Sequence, residues 1–93
     1  MKGIYEFFWD CGRQGDLQGL FIADDSEVAE AIDTEVYFGE ALGKHSEIYG
    51  TFEERDVKLV TQDQEFIQKL QEILKVSTTI SGYNPLEYLS EED

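Results

Sequence analysis

Residues 3–11 read GIYEFFWDC, and the parity of that run decides the fold. Tyr5, Phe7, Trp9 and Cys11 fall on one side of an extended chain, while Glu6 and Asp10 fall on the other. A two-residue period of this kind is that of a β-strand with one aromatic face turned toward a core. The run LQGLFIAD at 17–24 is also β-like, and the intervening CGRQGD holds two glycines, so the pair is expected to close as a hairpin.

The rest of the chain follows from this start. Asp24 has the chemistry of a helix N-cap, with Glu27 three residues on and Ala23 placed to staple against Val28. Val28, Ala31 and Ile32 then form a short apolar stripe that ends near Asp33. EVYFGEAL and SEIYGTFE read as two strands interrupted by Gly39 and Gly50, where a bulge or a close backbone approach is expected, and GKHS is their hairpin loop. DVKLV at 56–60, entered through the turn EERD, is a fifth strand.

Thr61 and Gln64 carry a capping-box signature. Phe66, Ile67, Leu70, Ile73 and Leu74 recur at helical spacing and predict a helix over 62–76, with Glu65 and Lys69 spaced as a pair on its polar side. STTISGY reads as a connection or a short edge strand. Asn84-Pro85-Leu86-Glu87 reads as a cap, a first-turn proline and a capping glutamate, starting a brief turn that packs Leu86 and Leu89. The expectation is one α+β domain over 1–89, a mainly antiparallel sheet of about five strands with two helices on one face. Its order is ββαβββα plus a short C-terminal helical turn, and 90–93 is expected to be a frayed acidic tail.

Seven basic side chains stand against twenty-one acidic ones, a formal net charge of −14. Such a charge repels nucleic acid and anionic membranes and attracts basic protein surfaces. The single cysteine excludes an intramolecular disulfide and a cysteine-based zinc site, and suits a reducing cytoplasm. No apolar run approaches the roughly twenty residues of a membrane span. A cytoplasmic protein with no cofactor and no resident metal is expected.

Four constellations bear on function. Cys11 and His45 are the residue types of a thiol enzyme, but Cys11 shares the parity of the aromatic face, where a buried and inert thiol is the expectation. His45-Ser46-Glu47 has triad residue types without triad geometry, since adjacent residues do not converge on one another. Glu53, Glu54 and Asp56, with Asp24 and Asp25, offer oxygens for a hard cation, but each sits where a turn or cap already requires it. The loops Gly12–Gly15 and Gly43–Ser46, with Arg13, Lys44 and His45, offer amides and cations to a small anion or nucleotide.

The broadest feature is the acidity itself. Asp24, Asp25, Glu27, Glu30 and Asp33 are expected to line the solvent side of the first helix, with Glu53 and Glu54 continuing the acidic face. This spacing predicts a non-enzymatic binding or inhibitor protein that engages a basic partner, including one that handles nucleic acid, in the manner of a DNA mimic or a toxin-neutralising immunity protein. That likeness is one of composition only. The small-anion binder is the alternative, and a Cys11/His45 enzyme ranks last.

Overall fold

The aromatic strand lies at the centre of a sheet, flanked on both edges. The computed structural model describes residues 1–43 and 47–89. Along them run β1 (Lys2–Asp10), β2 (Asp16–Asp24), α1 (Asp25–Ala31), β3 (Glu35–Gly39), β4 (Ile48–Thr51), β5 (Val57–Thr61), α2 (Gln64–Leu74) and β6 (Thr79–Gly82). A 3₁₀ turn at Pro85–Glu87 follows them. The α+β class, the order of elements and the terminal turn match the sequence reading. The tail 90–93 lies outside the described residues.

The strands do not all join one sheet. Four form an antiparallel sheet in the order β5-β1-β2-β6, and β3 with β4 forms a separate two-stranded sheet. STTISGY therefore contributes an edge strand, β6, and the five-strand expectation becomes four plus two. The physical reason is the size of the aromatic face. Tyr5, Phe7, Leu17, Phe21 and Ala23 are all buried on it, and α1 supplies only Val28 and Ala31 as buried cover. The β3–β4 hairpin completes the layer by laying Val36, Phe38 and Ile48 on the same cluster.

The helices divide between the two sides of the sheet. Residues of the opposite parity, Ile4 and Ile22, form a second cluster with Ile67 of α2, and Leu20, Leu70 and Ile80 pack around it. Alternation along β1 and β2 sends these side chains away from the aromatic cluster. The expectation of two helices on one face is thus corrected to one on each. Both sides of β1 carry apolar side chains, so one layer of helices cannot bury them.

Local signals mostly act as their residues suggest. Gly39 adopts φ 69° at a register shift between β3 and β4, the bulge that its position implies. A Cβ at Gly50 would come 3.5 Å from the Trp9 ring, an ordinary contact, so β4 passes close to the indole here without requiring a glycine. The α2 cap differs from expectation: the Asp63 side chain accepts from Phe66 N at 3.2 Å, while Thr61 Oγ1 accepts from Asp63 N at 3.1 Å. Two polar residues compete for the cap, and Asp63 is next to the first helical residue. The helix is accordingly shorter than 62–76, ending where Lys75 turns left-handed at φ 55°.

Burial separates the apolar residues of α2 sharply. Ile67 is 1% exposed, whereas Ile73 is 68% exposed. Replacing Ile67 with alanine is expected to cost about 2–5 kcal/mol by lost burial and a cavity. Ile73→Ala is expected to stay within about 0.5 kcal/mol. Urea denaturation of both variants checks this, and equal losses would place α2 with a different face against the sheet.

Candidate protein-binding surface

Among the expected partner-binding residues, those of α1 are set by its cap. The Asp24 carboxylate accepts from Ser26 N at 3.2 Å, and Asp24 N donates to Glu27 Oε1 at 3.0 Å, closing the capping box. The Met1 amine lies 3.1 Å from Asp24 Oδ1 and 3.2 Å from Asp25 Oδ1. That amine, followed by the Ser26 amide, holds the Asp24 carboxyl well below the usual carboxylate range. In return the two aspartates raise the pKa of the amine. Asp24, Asp25 and Glu27 are therefore partly committed within the fold, while Glu30 is exposed on the following turn.

Asp33 departs from expectation. α1 ends at Ala31, and Asp33 has left-handed φ 69°, with its N–H donating to Phe52 O at 2.7 Å. It does not continue the Glu27–Glu30 ridge. The helix stops because Thr34 folds back, its Oγ1 donating to Ala31 O at 2.6 Å, and because the chain must reach the pairing of Phe52 N with Thr34 O.

A 3₁₀ turn at Glu54–Asp56 links the separated acidic groups. Glu53 N donates to Asp56 Oδ2 at 2.8 Å, and Arg55 bridges Glu53 at 3.1 Å, which fixes the turn. On one side of it, Glu54 shares a depression with Asp25, over a floor that includes Val28, Ile32 and Val57. On the other side, Glu53 and Asp56 line a groove of about 580 Å³ with Trp9, Asp10 and Tyr49. Glu27 and Glu30 edge a third depression beside Leu86 and Leu89. Carboxylates from β1, α1 and the 54–56 turn thus lie along neighbouring hollows.

Sequence reasoning missed Trp9, Asp10, Glu47, Tyr49 and Asp56 as parts of this surface. Tyr49 stacks on Tyr37 with ring centroids 6.3 Å apart, and both rings are exposed. Partial desolvation, then a hydrogen bond with Glu47, pushes the Tyr37 phenol pKa up. The one available signal was Gly50, the position at which β4 passes the Trp9 ring.

The alternative sites fare differently. At the Gly12–Gly15 loop, Gly12 N already donates to Asp10 Oδ1 at 2.9 Å, while Cys11 N and Gly15 N bond to carbonyls within the loop. Two of the loop amides offered to an anion, those of Gly12 and Gly15, are thus occupied, the first by a carboxylate. Arg13 is exposed on this loop, and Lys44 and His45 lie outside the described residues. The meeting of the two loops and the Cys11/His45 pair therefore both rest on undescribed residues. Among the described residues, no three of His, Cys, Asp and Glu group to hold a metal ion, and no helix is long and apolar enough to cross a membrane.

No family model, curated protein or solved structure matches the chain.

Cys11 is half-buried with its Sγ 4.0 Å from Trp9 O, and burial, then Asp10 and Asp16, push its thiol pKa up. A raised thiol pKa makes the thiolate scarcer than in a free cysteine at every pH below the folded value. Alkylation of the folded chain by iodoacetamide should therefore be slower at neutral pH than that of the urea-unfolded chain. Its rate should climb only as the pH passes above the ordinary thiol range. Faster labelling of the folded chain at pH 7 would mark Cys11 as an activated nucleophile.

Proposed function

We propose that this protein is a non-enzymatic binding or inhibitor protein whose acidic surface engages a basic partner protein. The observation that carries the reading is the placement of Glu54 beside Asp25 and of Glu53 and Asp56 beside Asp10, on either side of one 3₁₀ turn. Residues far apart in sequence converge in sign. Among the described residues that line the 580 Å³ groove the one cation is Arg55, which is paired with Glu53.

Such an arrangement suits partners that present several lysines or arginines, because complementary potentials speed encounter and reject partners of like charge. A protein that handles nucleic acid has a surface of this kind, shaped to read a row of phosphates. Carboxylates in shallow hollows would occupy it in the manner of a DNA mimic or an immunity protein. Trp9 and Tyr49 add flat aromatic faces on which an arginine guanidinium can stack.

The test uses Glu30→Lys and Glu54→Lys together, leaving the Glu27 capping contact and the Glu53–Arg55 pair intact. A basic partner captured from a cell extract, measured by surface plasmon resonance, should associate about tenfold more slowly with the double variant at low salt. The difference should shrink in high salt, where exposed charges are screened beyond about 8–10 Å. Unchanged association at low salt by a folded variant would exclude this surface as the binding site.

A further inference from the structure

The negative charge is distributed unevenly. Between Val57 and Val76, which spans β5 and α2, Lys58, Lys69 and Lys75 balance Asp63, Glu65 and Glu72. The whole net charge of −14 therefore lies elsewhere in the chain. The neutral segment is also where apolar side chains are left uncovered. Phe66 and Leu74 are each 52% exposed and Ile73 more so, although all three belong to the same apolar stripe as the buried Ile67.

The stripe is wider than the sheet beneath it can cover. Ile67 takes the centre of the second cluster and Leu70 its edge. Phe66, Leu70, Ile73, Leu74 and the stem of Lys69 then line a concavity of about 300 Å³ on the outer flank of the helix. The Lys69 head reaches water while its methylenes lie along the apolar surface.

Two facts select the occupant. A strongly basic partner is drawn to the acidic hollows, and this flank has no net charge to attract it. Two copies that each carry −14 repel when they meet at random, and they approach at least cost through their neutral faces. We propose that α2 is the contact of a two-fold homodimer, in which two copies of the helix pack antiparallel through Phe66, Leu70, Ile73 and Leu74.

The antiparallel arrangement follows from symmetry and charge. A two-fold contact joins one patch to itself, and opposed helices also set their dipoles favourably. With the axis near Leu70, Phe66 of one copy meets the Ile73–Leu74 end of the other. Lys69 stands on the flank beside this seam, whereas Glu72 falls on the far side of the helix from Leu70 and takes no part in the contact.

An eleven-residue helix is about 16 Å long and presents less than the roughly 800 Å² per partner of a standard interface. A dissociation constant of roughly tens of micromolar is therefore expected. Sedimentation velocity over about 5–500 µM should show the 10.7 kDa chain passing to twice that mass. Ile73→Glu should hold it monomeric with an unchanged circular dichroism spectrum, since that side chain is exposed in the monomer.

Phe66→Glu and Ile73→Lys should each weaken the dimer at least tenfold, and the double swap Phe66→Glu/Ile73→Lys, which sets opposite charges against each other across the axis, should associate more tightly than either. A surface that is merely sticky would not show this rescue. A folded chain that stays at 10.7 kDa throughout the range overturns the proposal. So does self-association that Ile73→Glu leaves intact, or a single swap that weakens the dimer without rescue by the double swap. Binding to phosphatidylcholine vesicles by a chain that stays monomeric would overturn it in favour of a lipid surface.

Discussion

The structure depends on Phe7 and the strand that carries it. Its ring is fully buried, with Trp9 at 5.5 Å, Phe38 at 5.7 Å and Phe52 at 6.1 Å between centroids. These partners come from β1 itself, from β3 and from the chain just after β4, so one side chain ties the hairpin layer to the main sheet. Burying several aromatics together supplies much of the apolar area that a chain of this length can remove from water. The same strand pairs with β2 on one edge and β5 on the other, and its opposite parity, through Ile4, holds α2. A strand buried along one face, anchored at Ile4 on the other and paired on both edges admits little change of register.

That central position also governs what the surface offers. Because α1 and the hairpin share one face, the acidic N-terminal turn of α1 and the acidic 54–56 turn are brought to common hollows. Because α2 has the other face to itself, its apolar stripe overhangs the sheet. The turns on the α1 side are thus acidic, while the segment that carries α2 is balanced in charge. On the proposed reading a basic partner meets the acidic turns, and contact between like copies is least opposed at α2.

The closing strand shows how a tertiary constraint can rest on residues that carry no functional chemistry. β6 pairs along the edge of β2 from Phe21 opposite Thr79 to Gly19 opposite Gly82, where a Cβ at Gly19 would overlap the Tyr83 carbonyl. Tyr83 N then donates to Gln18 O at 3.0 Å, and the chain turns through Asn84, whose Oδ1 accepts from Leu86 N at 3.0 Å. Beyond that turn, Tyr37 N donates to Tyr88 O at 2.9 Å, so the C-terminal segment holds β3 in place.

Much of this was legible in the residues. The period of β1, the Asp24–Glu27 box, the bulge at Gly39 and the cap at Asn84 are local: each depends on neighbours within a few positions, and a linear pattern displays them. The sequence by itself also determined the amount and sign of the charge and the single thiol. What it left open was non-local. The separation of β3–β4 from the main sheet depended on how much aromatic area α1 leaves bare. The division of the helices depended on which parity of β1 each one met. Asp33 left the acidic ridge because Phe52, nineteen positions away, claims its backbone. Asp10 and Asp56 share a groove only because β1 and the turn before β5 end at the same side of the molecule. Those outcomes were decided by tertiary structure, since they turn on side chains competing for the same buried area, and that competition exists only once distant segments have met.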